Sequence, residues 1–196
     1  MPQPLSRIKP NASVYIGNVG DYPLRRHPDL AVLAMECIRS WSDVENFMLH
    51  LYVELMGGNA SLIAKTYLNL RGASNKQQLL VAAAEASLDD KLKPLFKAIF
   101  SRISTHEKDR DKIAHWTWGD SPQLPDALLL MDPRAKLEGP LNMDQIFVYR
   151  EGDFLRIIAQ NEKLAGAGMA FEWILSGHPA NRGDAIFQQL CKEFGI

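Results

Sequence analysis

The sequence predicts a mainly all-α protein, a bundle of about five or six helices with a small antiparallel β ribbon in its C-terminal third. Three observations carry that expectation. Apolar residues recur at spacings of three and four across residues 28–56 and again across 88–116, the repeat of one helix face. Capping residues and glycines punctuate these stretches at Gly57-Gly58, Asn59, Gly72, Ser74 and Gly119. Beyond them Pro122, Pro125, Pro133 and Pro140 break the chain around two short β-rich runs, residues 127–131 and 145–150.

Composition bounds the function classes. A chain of 196 residues, 46% hydrophobic and of formal net charge −1, can bury one core. Its near-neutral balance excludes a protein that coats nucleic acid through its overall field, so any such contact must rest on a local basic cluster. Cys37 and Cys191 lie too far apart in sequence to suggest a disulfide framework or a zinc site. No metal or other cofactor is expected, and a reducing, cytoplasmic setting fits. Residues 1–7 contain no signal-peptide core, and no run approaches the roughly 18 apolar residues of a membrane span.

Taken in order, residues 1–27 read as an extended N-terminal arm, broken by Pro2, Pro4, Pro10 and Pro23 and by the turn formers Asn11, Gly17, Asn18 and Gly20. Residues 28–56 form the first long helix. Pro28 suits its first turn and Gly57-Gly58 stop it. Its seam is Leu30, Leu33, Cys37, Trp41, Val44, Met48, Leu51 and Leu55, and a neighbouring stripe places Glu45 as a charge among apolar residues. Asn59 or Ser61 caps a helix over 60–71, closed by Gly72, and Ser74 caps another over 75–87. The long helix over 88–116 begins near Asp89-Asp90 and ends near Gly119, with Pro94 marking either its regular start or a kink. The two β-rich runs then pair as the ribbon. Helical spacing returns over 153–175, weakened by Gly166 and Gly168, and closes with an amphipathic helix over 182–194. The division expected is a helical core over 28–119 with residues 120–196 packed on it, a single domain overall.

Chemistry is legible at one place, residues 104–118. Asp111 stands four positions before His115, so on a helix its carboxylate can accept the ring N–H and orient the imidazole. Arg110 lies on the continuation of the apolar stripe Leu92, Phe96, Ile99, Ile103, His106, where a core residue was due. A charge there needs a partner, and Glu45 is the one on offer. Arg110 and His115 are roughly 140° apart around the helix. A single straight helix therefore cannot aim both at one small target unless its end unwinds or a second copy contributes.

Residues around this motif carry a wider resemblance. A long helix bearing Trp41-Ser-Asp-Val-Glu45, then short helices, then a helix ending Arg110-Asp-Lys-Ile-Ala-His115, resembles the HEPN superfamily of all-helical domains. The family's signature is an arginine, usually followed by Asn, Asp or His, and a histidine four to six residues on. The resemblance covers residues 28–118, with the 151–176 helix as an extension. It implies a metal-independent endoribonuclease whose site forms where two protomers meet, of the kind found in toxin–antitoxin, phage-defence and RNA-processing systems. In that reading His115 moves the proton, Arg110 stabilises the developing charge and Asp111 holds His115. His106 and Lys112 would then contact phosphate, and Trp116 would stack on a base. The His-x-Tyr run of family members that modify nucleotides is His115-Trp-Thr117 here, so that route is not expected.

Blander readings stand beside these. Arg110 with Glu45 reads equally as a structural ion pair, and His115 as a helix-end histidine without chemistry. Complementary i,i+3 charges make residues 107–112 a solvated face, and Trp116 and Trp118 anchors of the helix end. Two functions follow from different classes: an endoribonuclease acting as a homodimer on RNA, and a catalytically silent interaction module that binds an antitoxin or other protein partner.

Overall fold

Alternation of side chains along two strands organises the first half of the fold. In the computed structural model, which describes residues 1–17, 22–136 and 141–196, Ala127–Met131 (β4) lies antiparallel to Ile146–Arg150 (β5) with Leu129 opposite Val148. This is the ribbon the sequence predicts. It is not two-stranded, however: Thr117–Asp120 (β3), Gln3–Pro4 (β1) and Tyr15–Ile16 (β2) complete an antiparallel sheet of order β1-β5-β4-β3-β2. The supposed arm therefore supplies both edge strands. Pro4, which has no N–H to give a neighbour, sits in one of them.

All five residues of β4 are buried, because the central strand is covered on both faces. Odd positions Ala127, Leu129 and Met131 join Leu5, Ala12, Ile146 and Val148 in one cluster. Even positions Leu128 and Leu130 join Ala34, Cys37, Ile113, Tyr149, Phe154 and Ile157 in the other. Its period of two is masked in the sequence by an unbroken apolar run. Cys37 belongs to the second cluster and its thiol reaches the Phe154 carbonyl oxygen at 3.6 Å. Burial, reinforced by the charges of Glu36 and Asp109, pushes that thiol up to about 12 from 9.0. Three units less acidity leaves about a thousandfold less thiolate at mildly alkaline pH, and the thiolate is the reactive form. Iodoacetamide followed by peptide mass mapping is accordingly expected to leave Cys37 unlabelled in the native chain and to label it once denaturant is added. Rapid native labelling would contradict that burial.

Eight α-helices among the described residues supply the rest. Leu5–Ile8 (α1) and Pro23–Arg26 (α2) are single turns, and Pro28–Met56 (α3) spans the predicted 28–56. Ala60–Asn69 (α4) is capped by Asn59, whose side-chain oxygen accepts from the Leu62 N–H at 3.1 Å. Ala73–Ser87 (α5) starts at Gly72, with φ of +83°, rather than under Ser74, which falls inside its first turn. Lys93–His115 (α6) begins beside Pro94 and stops four residues before Gly119, since Thr117 onward is strand. Glu151–Leu175 (α7) is unbroken, and Ala185–Phe194 (α8) starts after a 3-10 turn over Pro179–Asp184. The turn formers Asn18 and Gly20, and Pro140, lie outside the described residues.

The chain divides into two compact units: Met1–Trp41 with His106–Gln160, and Ser42–Thr105 with Asn161–Ile196. The first holds the whole sheet and its two clusters. The second is helical, with Phe96 set 5.3 Å from Phe100 and 6.4 Å from Phe171, and Tyr52 5.2 Å from Tyr67.

Within this second unit the glycines of α7 have opposite roles. A Cβ on exposed Gly166 would meet nothing within 4 Å, whereas one on buried Gly168 would come within 2.6 Å of three Phe47 ring carbons. Gly166→Ala is therefore expected to stabilise by about 0.5–1 kcal/mol, the ordinary helix gain. Gly168→Ala should lose about 1–2 kcal/mol after that gain is set against overpacking. Urea unfolding of the pair measures both signs, and like signs would refute the assignment.

Candidate functional site

Apart from Glu45, the predicted site residues sit on the last turns of α6 and the step into β3, within the first unit. Trp116 N–H still bonds back to the Lys112 carbonyl at 2.9 Å, and strand pairing then starts at Thr117 opposite Met131. Lys112 in the last turn complements the negative end of the helix dipole.

Arg110 is half-buried, and its guanidinium pairs at 2.9 Å with Asp111, the next residue. Asp111 therefore holds the arginine and not the histidine: among the described residues no hydrogen bond joins Asp111 to His115. The i,i+4 rule allows that contact, but the guanidinium is a charged fork of five donors and outcompetes an imidazole at the helix end. His115 is exposed and projects at the helix terminus, while His106, one turn before Arg110, is half-buried. Glu45, read from the sequence as a charge among apolar residues, is exposed and belongs to the second unit.

Lys112 takes the i,i+3 partner that its spacing offers and two aromatic neighbours besides. Its ammonium lies 3.6 Å from Asp109 and over the rings of Trp116 and Phe147, at 5.6 and 5.5 Å. Trp116 in turn packs at 5.8 Å against Phe147 of β5. This arrangement fits the anchoring role of Trp116, with Lys112 as a cation above two aromatic faces.

Two groupings escape a reading of the sequence. Arg26 at the end of α2 forks onto Asp120 at the end of β3, Nε to Oδ2 at 2.5 Å and Nη2 to Oδ1 at 2.8 Å. His27 Nε2 lies 3.7 Å from the same carboxylate, beside a cavity of about 530 Å³ lined also by Asp29, Asp126 and Glu151. Arg26 further covers the Tyr15 ring at 5.3 Å. A sequence separation of 94 between Arg26 and Asp120 leaves no local spacing to find them by. The second grouping is in the other unit, where His50, Glu54 and Glu172 line one pocket. Its one local signal in the sequence is the i,i+4 step from His50 to Glu54.

Among the described residues no group of three or more His, Cys, Asp or Glu is placed to hold a metal ion, and no helix is long and apolar enough to cross a membrane. The chain matches no family model, no curated protein and no solved structure.

Proposed function

We propose that this chain is a HEPN-like, metal-independent endoribonuclease of the cytoplasm, its site completed when the α6 ends of two copies meet over an RNA phosphodiester. The observation that supports this reading is His115, exposed at the helix terminus one and a half turns beyond Arg110, which Asp111 holds in place. A proton-transferring group free to meet a ligand and a positioned cation are the two parts such cleavage needs. Because they diverge around α6 by roughly 140°, the second copy supplies the facing set.

In the reaction, His115 accepts the proton of the ribose 2′-hydroxyl as that oxygen attacks the adjacent phosphorus. Arg110 stabilises the negative charge that grows on the phosphoryl oxygens. The P–O5′ bond then breaks, the leaving oxygen takes a proton from the second copy's imidazole, and a 2′,3′-cyclic phosphate remains. His106, on the same face as Arg110, adds a polar group along the phosphate path.

The competing reading is a silent interaction module of a defence, toxin–antitoxin or mobile-element system. Neutralisation of Arg110 by Asp111 and occupation of Lys112 by Asp109 favour it, since both reduce the positive field an RNA would meet. Light scattering together with incubation on single-stranded RNA in EDTA separates the two. A dimer that leaves 2′,3′-cyclic ends supports the nuclease; a dimer without cleavage supports the module; a monomer removes the composite site.

A further inference from the structure

The second unit contains a pocket of about 520 Å³, within the range of small-molecule sites, formed where α3, α4 and α7 come together. Leu49, Val53, Ala60 and Ala64 give it an apolar wall, and Trp173, stacked at 5.1 Å on His178, stands at its edge. Against that wall are two carboxylates, Glu54 and Glu172, and the imidazole of His50.

Glu172 is the unusual member. Its Oε1 is buried, and among the described residues nothing donates a hydrogen bond to it. Burial, with the nearby charge of Glu54, raises its carboxyl above the usual range, while His50 opposes the rise. A buried acceptor without a donor costs free energy, which a ligand N–H recovers once the Glu172 side chain turns that oxygen toward the pocket. Two carboxylates repel an anion. A divalent cation would lack the third ligand, since no such cluster exists among the described residues. A neutral apolar ligand would leave the Glu172 oxygen unsatisfied.

We propose that this pocket binds a protonated organic amine with an apolar body of one or two rings, the ammonium held by Glu54 and Glu172 and the body laid on the Leu49, Val53, Ala60 and Ala64 wall. Trp173 adds an aromatic face at the edge suited to such a cation. The site belongs to the second unit and does not depend on RNA cleavage.

Calorimetric titration of the full chain with tryptamine tests it, with tryptophol as the probe that keeps the rings and replaces the ammonium by a hydroxyl. Saturable one-to-one tryptamine binding is expected, at least about tenfold tighter than tryptophol, as a charge-assisted hydrogen bond requires. Glu172→Gln should weaken it by a similar factor, as should Glu54→Gln, whose exposed position leaves folding intact. Val53→Trp, which fills the pocket, should abolish it in a protein whose circular dichroism is unchanged, and Glu36→Gln, a surface carboxylate of the first unit paired with Arg39, should leave it unaltered. No saturable binding at millimolar tryptamine, equal binding of tryptophol, or full binding by both carboxylate variants overturns the proposal.

Discussion

His115→Ala is expected to lower RNA cleavage in EDTA by about 10²–10⁴-fold, the range that a positioned acid–base group contributes. Arg110→Ala should cost about 10²–10³-fold, the loss seen when one stabiliser of a developing oxyanion is removed. Their combination should fall well short of the product, because groups that act on one transition state fail together. The fold should survive the first change, since His115 is exposed and replacing such a residue shifts stability by no more than about 0.5 kcal/mol. Arg110→Lys discriminates further: it keeps the charge and loses the planar fork, so a small loss means a point charge suffices and a large one means two-pronged contact. Asp111→Asn asks what the pair is for. If Asp111 positions the guanidinium, cleavage falls; if it merely neutralises it, RNA binding tightens and cleavage rises. Cleavage retained in both alanine variants removes His115 and Arg110 from the chemistry.

Helices were legible where one mechanism dominated. The α3 seam, the Gly57 stop and the Asn59 cap each act within a few residues, so local pattern and final structure agree. The sheet was half legible, because β4 and β5 carry their own β-rich runs while β1, β2 and β3 are two to four residues long and are strands only through their neighbours. Pairing with β4 overrides whatever preference Thr117-Trp-Gly-Asp120 has alone. Gly168 shows the same limit from the other side: composition marks it as a weak point in a helix, and only the Phe47 ring above it reveals why no larger residue fits. At the candidate site, sequence spacing located Arg110, Asp111 and His115 on one helix end but not their pairing. Helical geometry ranks Asp111 with His115 and says nothing of how far a flexible arginine can swing back to its own neighbour.

Asp120→Ala is expected to destabilise the protein by about 2–3 kcal/mol, which for a chain of this size lowers the melting temperature by roughly 5–10 °C. The carboxylate is 7% exposed, and it receives both prongs of Arg26 with His27 beside them. Removing it takes the carboxylate from a guanidinium in a partly desolvated place, where loss of an ion-pair partner is costly. The cost stays below the fully buried limit because the Arg26 side chain is 35% exposed and water screens part of the charge. The loss should be local in its first effect. Asp120 is the register partner of Tyr15, whose ring lies under Arg26, so β2 depends on this pair as well as on its short ladder and the Gly17 N–H to Trp118 carbonyl bond of 3.1 Å. Amide exchange at Gly17 and its neighbours in β3 should accelerate before the β4–β5 ladder is affected, since β4 is covered on both faces. A double-mutant cycle with Arg26→Ala separates the pair from its surroundings. Coupling above about 1 kcal/mol is expected for a two-pronged, half-desolvated bridge, and coupling near zero would mean that β2 is held by its ladder alone.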